Sequence, residues 1–192
     1  MEKSVTIFAK RKTIIGITLT ALFAALIAAG TFIAIPLPFS PVPIVLQNLF
    51  AMLSGLILGP LLGGAAVGLY LIAGAIGAPV FAGATGGFFR FLGPTGGYLI
   101  GYLLMAIAAG FIAGKPHGGY KTPLWRLILA VLGGVIGNYV PGILWLKVLL
   151  DKTWLEALTM GFVPFIIGDT IKCAVAVLIA PRLRRVVADH IA

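Results

Sequence analysis

Two ionisable residues interrupt the last apolar stretch of the chain, which contains Pro164-Phe-Ile-Ile-Gly-Asp-Thr-Ile-Lys172. They are Asp169 and Lys172, and their neighbours on both sides are apolar. Ionisable side chains inside a membrane segment are costly, and they usually mark a functional site. At spacing i, i+3 on a helix the two side chains share a face, so they can pair with each other or contact one ligand.

Three roles are open for this pair. It could be a structural ion pair that holds helices together, or part of a proton relay, for which further acidic residues in the membrane are lacking. It could also bind a small zwitterionic or amide-bearing molecule, with Lys172 contacting a carboxylate and Asp169 accepting hydrogen bonds from N–H groups. We adopt the binding site as our hypothesis.

Further polar groups occur in other apolar segments. Asn138 and Tyr139 precede Pro141-Gly142, where we expect a helix break, and Gln47 lies near the start of another segment. Such groups either line a cavity or form a hydrogen bond between helices. The loop from 77 to 97 is rich in glycine, and glycine allows a backbone to approach a ligand closely. The alternative for this loop is an ordinary turn at the membrane surface.

The composition predicts the elements that must position these residues. Of 192 residues, 60% are hydrophobic and only 10% are charged, which is typical of a protein that folds in a bilayer. Helices satisfy their own backbone groups in hydrocarbon, so we predict an all-α polytopic membrane protein with one domain, residues 1–192. Six transmembrane helices are predicted at roughly 13–35, 43–60, 61–79, 96–114, 124–150 and 156–181. A tight reversal around Gly59, Pro60 and Gly63 separates the second helix from the third.

The basic residues predict the orientation in the membrane. Ten of them fall in the N-terminal tail, the fourth loop and the C-terminal tail: Lys3, Lys10, Arg11, Lys12, Lys115, Lys121, Arg126, Arg182, Arg184 and Arg185. Only Arg90, Lys147 and Lys152 lie on the other side. The positive-inside rule therefore places both termini in the cytoplasm, which requires an even number of helices.

Two further segments have unusual compositions. The first outer loop, Ile35-Pro-Leu-Pro-Phe-Ser-Pro-Val-Pro43, carries four prolines and no charge, so we predict a stiff, extended segment. In the first helix Ala21, Ala25 and Ala29 recur every four residues. This stripe of small residues either packs inside the bundle or is a docking face for a separate subunit.

Several classes of function are excluded by missing motifs. The chain has no P-loop motif, so it does not hydrolyse ATP by that route. His117 and His190 lie in a loop and a tail, which argues against an intramembrane metalloprotease or a serine and histidine dyad. The net charge of +9 is spread beside apolar segments, so it indicates a lipid bilayer as partner rather than nucleic acid. We therefore expect neither an enzyme nor a metal or cofactor site.

Four segments, in order along the chain, match one known family. They are Pro36-Leu-Pro-Phe-Ser-Pro-Val-Pro-Ile44 with Gln47, Gly74-Ala-Ile-Gly-Ala-Pro-Val-Phe-Ala-Gly83, Gly93-Pro-Thr-Gly-Gly-Tyr-Leu99, and the segment that contains Asp169 and Lys172. On these segments the chain resembles the BioY family, the biotin-binding S components of energy-coupling factor (ECF) vitamin transporters. A mostly apolar pocket with one cation and one anion would suit the carboxylate, ureido group and apolar bicycle of biotin.

The resemblance implies a high-affinity biotin-binding subunit in a prokaryotic plasma membrane, with biotin as its ligand. It implies that Asp169 and Lys172 bind biotin and that the first loop acts as a lid, for which we take Phe39, Ser40, Pro41 and Val42. Further substrate-binding candidates are Gln47, Gly83, Thr85, Gly86, Tyr98, Asn138 and Arg90; the resemblance gives Arg90 no role. It also implies docking of a transmembrane coupling subunit, joined to two cytoplasmic ATPases, on Ala21, Ala25 and Ala29.

Three other functions remain open at this stage. The first is transport of a different small vitamin that carries a carboxylate. The second is an intramembrane enzyme with Asp169 as its general base, and the third is a purely structural bundle subunit.

Overall fold

The computed structural model describes residues 2–116 and 122–191. Within these ranges it describes the side chains of all residues except 2–10, 189 and 191. His117 and Lys121 lie outside the described residues, as do the side chains of Lys3 and Lys10. Seven α-helices and one β-hairpin form the described part of the chain. They are α1 (Glu2–Ala29), β1 (Ala34–Leu37), β2 (Ser40–Val45), α2 (Gln47–Ala75), α3 (Phe89–Leu92), α4 (Gly96–Ala113), α5 (Leu124–Leu149), α6 (Trp154–Gly161) and α7 (Ile166–Ile191).

The helix α2 is folded back on itself at Gly59. The backbone there has φ 82° and ψ −179°, a left-handed conformation that favours glycine. Ser54 in the first arm donates a hydrogen bond of 3.3 Å to the carbonyl oxygen of Gly63 in the second arm. The reversal predicted from the sequence is therefore confirmed.

This reversal explains why five membrane-crossing helical segments correspond to six predicted ones. Among the described residues, five helical segments are long and apolar enough to cross a membrane, and one of them is α2. Because α2 has two antiparallel arms, the six apolar segments predicted from the sequence are all present. The cytoplasmic location of both termini stays a prediction.

Close contacts between glycines and neighbouring backbones hold the bundle together. A Cβ atom on Gly55 of α2 would lie 2.1 Å from the carbonyl oxygen of Ala106 in α4, and one on Gly110 would lie 2.5 Å from the nitrogen of Pro60. Only glycine permits such an approach. As a result α4 packs against α2 on one side and against α5 on another.

The first outer loop is a β-hairpin, an element that the all-α prediction did not include. Ala34 pairs with Val45 and Ile35 pairs with Ile44 in antiparallel register. Proline is tolerated because each strand of a two-stranded sheet has an edge that needs no donor. The extended conformation predicted for this loop is confirmed, and the membrane-crossing segments themselves are helical.

The helix break expected near Pro141 is not present. The helix α5 continues through this residue from Leu124 to Leu149. A proline inside a helix removes one backbone hydrogen bond. Close packing compensates here, because α4 contacts the same stretch: a Cβ atom on Gly97 would lie 2.4 Å from the carbonyl oxygen of Pro141.

Arg184 is buried, although the sequence predicts it to be one of the basic residues of the cytoplasmic tail. It is 3% exposed, and its guanidinium donates to the carbonyl oxygens of Leu56, Ala113 and Gly114. Its Nε donates to the hydroxyl of Thr122 at 3.0 Å. The last carbonyls of a helix lack partners within that helix, and arginine has enough donors to bond several of them. Arg184 thus joins α7 to the ends of α4 and of the first arm of α2.

Candidate functional site

A cavity of about 180 Å³ lies between the hairpin, the loop from 77 to 97 and the helices α2, α4, α5 and α7. A space of this volume could hold several water molecules and is therefore large enough for a small organic ligand. Seven of the predicted substrate-binding residues line it: Gln47, Thr85, Arg90, Tyr98, Asn138, Asp169 and Lys172.

Lys172 has an acceptor for each N–H group of its ammonium. Its Nζ lies 2.6 Å from the carbonyl oxygen of Val45, 2.9 Å from Oδ1 of Asn48 and 2.8 Å from Oδ1 of Asp169. An ammonium has three donors, so all of them are used within the protein. Lys172 could contact a ligand carboxylate only by giving up one of these bonds.

Asp169 is the acceptor at the centre of the same network. Its Oδ1 accepts from Lys172 and from Nδ2 of Asn48 at 3.0 Å, and its Oδ2 accepts from the hydroxyl of Tyr139 at 2.6 Å. A carboxylate has about four lone-pair sites, so capacity remains for a donor from a ligand. The Asp169 and Lys172 side chains are 13% and 14% exposed. They pair with each other and also face the cavity.

A break in the last apolar segment positions this network. The sequence predicts one span with Asp169 near its middle, but the chain ends α6 at Gly161 and makes a short 3₁₀ turn, Val163–Phe165, before α7. Asp169 therefore lies in the first turn of α7. A carboxylate is favoured there because the first N–H groups of a helix carry partial positive charge.

The cavity runs from this network toward the hairpin. Thr95, Tyr98 and Tyr102 line it at successive positions near the start of α4. Further along α4, Met105 borders a small void that also contacts Asp169 and Lys172. The network therefore forms the deep end of the cavity, and the hairpin and the residues just before α4 form its mouth.

Arg90 lies at the mouth, on the short helix α3. Its side chain is exposed, and no hydrogen bond or ion pair joins it to any residue that the structure describes. An unpaired guanidinium at the edge of a mostly apolar cavity is suited to a carboxylate. The wall between the two ends is formed largely by aromatic and aliphatic side chains: Val42, Phe81, Tyr98, Leu99 and Phe165.

Only some of the predicted lid residues line the cavity. Pro41 and Val42 line the cavity, whereas Phe39 is 61% exposed at the turn of the hairpin. Ser40 is buried and donates to the carbonyl oxygen of Met160 at 2.8 Å, which fixes the hairpin to α6. The lid role itself stays a prediction.

Gly83 and Gly86 do not line this cavity. Gly83 borders a separate, shallower pocket beside the hairpin. Gly86 packs within its own loop, where a Cβ atom would lie 2.3 Å from the carbonyl oxygen of Ala78. Gly86 thus allows its own loop to pack closely, and the predicted ligand contacts of the two glycines have no support in this geometry.

Gln47 lines the cavity, but the N–H groups of its side chain are bonded to other residues of the protein. Its Nε2 donates to the hydroxyl of Tyr70 at 2.9 Å and to the carbonyl oxygen of Val80 at 2.7 Å. Both donors of this amide are therefore used: one joins the two arms of α2, and the other joins α2 to the loop that follows it.

The predicted substrate-binding residues did not include four polar residues of the cavity wall, namely Asn48, Thr95, Tyr102 and Tyr139, although Tyr139 was named beside Asn138 as a group that could line a cavity. Asn48 and Tyr139 directly follow the predicted Gln47 and Asn138, so a polar pair inside an apolar segment was the available signal. Tyr102 gives no such signal, because a tyrosine one turn after Tyr98 is typical of a packed helix face.

The alanine stripe of α1 faces away from the bundle. Ala21, Ala25 and Ala29 are exposed, whereas Ala24 between them is 7% exposed. Internal packing therefore does not explain the stripe. Its predicted role as a docking face stays a prediction.

Comparisons with known proteins identify the family of this fold and cavity. The model of the BioY family matches residues 1–189. The chain belongs to the BioY family.

Individual BioY relatives agree with this assignment. The biotin transporter BioY of Thermotoga maritima is 42% identical over 165 residues, which cover 85% of this chain and 92% of the relative. That of Rhodobacter capsulatus is 44% identical over 173 residues, which cover 85% and 90%. A crystal structure of the S component for biotin from an ECF-type ABC transporter matches with a TM-score of 0.80 and 35% identity, covering 90% of this chain and 92% of that one.

Membership of the BioY family confirms two predictions from the sequence. The chain is a multi-pass membrane protein of a prokaryotic family whose curated relatives are named as transporters. It is a transport protein and not an enzyme.

Proposed function

We propose that this chain is the biotin-binding S component of a vitamin uptake transporter. The observation that carries the proposal is the distribution of polar groups along one narrow cavity. An aspartate with free acceptor capacity lies at the deep end, an arginine whose side chain bonds to none of the described residues lies at the mouth, and apolar side chains lie between them. Biotin has the same order of groups, namely a cyclic urea, the apolar sulfur-containing ring fused to it with an aliphatic tail, and a carboxylate.

Each end of the ligand then has a complementary partner. A urea N–H donates to Asp169, whose charge strengthens the hydrogen bond. The carboxylate extends to Arg90, and Phe81, Leu99 and Phe165 cover the apolar middle. Lys172 contacts the ligand only indirectly, because it holds Asp169 and Asn48 in place.

Biotin enters from the outer side, and the hairpin closes the mouth over it. Pro41 and Val42 supply the covering surface, and Ser40 anchors the strand to α6. With no P-loop in the chain, release to the cytoplasm depends on other subunits. We propose an ECF transmembrane coupling subunit and two cytoplasmic ATPases as these partners.

Titration of the purified protein in nanodiscs with biotin tests this function. We expect saturable binding at one site per chain, and a competition panel of other carboxylate-bearing vitamins should not displace biotin. Absence of biotin binding would reject the proposal. If another vitamin displaces bound biotin at a concentration below that of biotin, that vitamin is the substrate instead.

Arg90→Gln is expected to weaken binding of biotin about fivefold to tenfold, since an accessible charged hydrogen bond contributes on the order of 1 kcal/mol. Binding of biotinol, in which an alcohol replaces the carboxylate, should change less than twofold. Isothermal titration of both ligands checks this. Arg182→Gln, which removes an exposed cation remote from the cavity, is the control. Equal losses for both ligands would contradict the assignment of Arg90.

Ala25→Leu is expected to abolish co-purification of the coupling subunit while biotin binding stays unchanged, because Ala25 is exposed and does not line the cavity. A leucine side chain would keep the facing helix from close approach. Ala25→Ser keeps the residue small and should retain the partner. If the leucine variant retains it too, the docking face lies elsewhere.

A further inference from the structure

Two polar side chains of the cavity wall have no hydrogen-bond partner among the described residues. Asn138 on α5 is 3% exposed; its Oδ1 is fully buried without a partner, and its Nδ2, the donor of the amide, also bonds to none of the residues that the structure describes. Tyr102 on α4 is 6% exposed, and its hydroxyl likewise bonds to none of the residues that the structure describes. Buried polar groups are nearly always hydrogen-bonded, so an unpaired pair in one cavity wall needs an explanation.

The packing of α4 on α5 forces Asn138 into this position. A Cβ atom on Gly101 would lie 2.6 Å from the backbone oxygen of Asn138 and 2.7 Å from its Oδ1. Residue 101 must therefore be glycine for the Asn138 side chain to fit at this crossing. Tyr102 follows Gly101 directly, so the same crossing brings the amide and the hydroxyl to one wall of the cavity.

The polar network at the deep end has few donors for the carbonyl oxygen that a urea also carries. A cyclic urea has two N–H donors and one carbonyl acceptor. Asp169 can accept from the N–H groups, but a carboxylate donates nothing. Lys172 is the nearest cation, and its three N–H groups are already bonded to Val45, Asn48 and Asp169. The one donor left in the network is the second N–H of Asn48 Nδ2, whose first N–H bonds to Asp169. The two lone pairs of the ligand carbonyl oxygen therefore need a further donor from outside the network.

The other hydrogen-bond donors that line the cavity are either bonded to protein atoms or lie far from its deep end. Tyr98 donates to the carbonyl oxygen of Gly161 at 2.7 Å, and Tyr139 donates to Asp169. Thr95 lies seven residues before Tyr102, about 10 Å closer to the mouth along α4. Arg90 is also at the mouth, where the carboxylate is expected.

We infer that Asn138 and Tyr102 donate hydrogen bonds to the urea carbonyl oxygen of the ligand and so determine selectivity for a urea. The inference rests on the proposed function and extends it. Asp169 recognises the N–H edge of the ring, and the pair on α4 and α5 recognises its oxygen. A site built to pair with a polar group discriminates strongly against analogues that lack this group, because its own groups are then left unpaired.

The analogue 2-iminobiotin tests this inference, because a protonated imino group that only donates replaces the carbonyl oxygen. Affinities for biotin and 2-iminobiotin are measured for the full chain in nanodiscs. We expect Tyr102→Phe and Asn138→Ala each to weaken biotin binding about tenfold, while 2-iminobiotin binding falls less than twofold. The selectivity ratio between the two ligands should therefore drop about tenfold in each variant.

Tyr98→Phe is the matched control, since Tyr98 lies one turn away on α4 and its hydroxyl is bonded to the protein. It should change the two affinities by the same factor. If Tyr102→Phe also weakens both ligands equally, or weakens neither, the inference is overturned. Tyr102→Phe removes only an unpaired hydroxyl, so it decides the question even if Asn138→Ala does not fold. Failure of the wild-type chain to bind biotin would instead reject the proposed function, and this inference with it.

Discussion

Asp169→Asn is expected to weaken biotin binding by about 100-fold or more. The substitution keeps the shape of the side chain but removes the charge that accepts from the ligand, Asn48, Tyr139 and Lys172. Hydrogen bonds to a charged group contribute about 1.5–3 kcal/mol each, and 1.4 kcal/mol corresponds to a factor of ten. The variant also leaves the ammonium of Lys172 largely buried without its counter-ion.

A double-mutant cycle with Lys172→Met separates binding from positioning. If Lys172 acts by holding Asp169, both single variants should lose most of the affinity, and the double variant should be little worse than either. Isothermal titration or radioligand binding measures each affinity, with elution profile and melting temperature as controls for folding.

Asp151→Asn is the matched control for the loss of a carboxylate. Asp151 is exposed outside the cavity and has φ 48°, a conformation that asparagine also adopts. The Asp151→Asn variant should bind biotin with the same affinity as the wild type. If Asp169→Asn binds biotin within threefold of the wild type, Asp169 does not contact the ligand, and the pair is a structural ion pair.

The second large effect is expected on stability, at the opposite end of α7. Arg184→Met should lower the free energy of unfolding by about 3 kcal/mol or more, because the carbonyl oxygens of Leu56, Ala113 and Gly114 lose a buried donor. For a chain of this size the melting temperature should fall by roughly 10 °C. Thermal unfolding followed by tryptophan fluorescence or by size-exclusion chromatography after heating measures this shift.

Arg185→Met is the control, since Arg185 is the next residue and is exposed. Its melting temperature should stay within roughly 2 °C of the wild type, as is usual for a surface substitution. Arg184→Lys should give an intermediate value, because an ammonium has fewer donors in a less suitable geometry. Equal melting temperatures for the two methionine variants would show that the bonds of Arg184 contribute nothing to stability.

Much of the architecture is determined by the sequence alone. Hydropathy along the chain predicts the apolar segments, because transfer of each segment from water depends on its own residues. The reversal at Gly59 follows from the tolerance of glycine for a left-handed backbone. The shared face of Asp169 and Lys172 follows from their spacing, and the structure bonds them at 2.8 Å. These features are local, so they can be predicted from neighbouring residues.

Only the tertiary structure determines which polar groups remain available. Lys172 is saturated by Val45 and Asn48, which are distant in sequence, and Arg184 is buried because the ends of two other helices meet beside it. Asn138 and Tyr102 have no hydrogen-bond partner among the described residues, and Gly101 lets α4 and α5 approach closely at Asn138. A hydrogen bond requires its two atoms to meet within about 3 Å, and helix packing decides which atoms do so. The sequence could thus name the ionisable pair, while the division of donors and acceptors between protein and ligand depends on the assembled bundle.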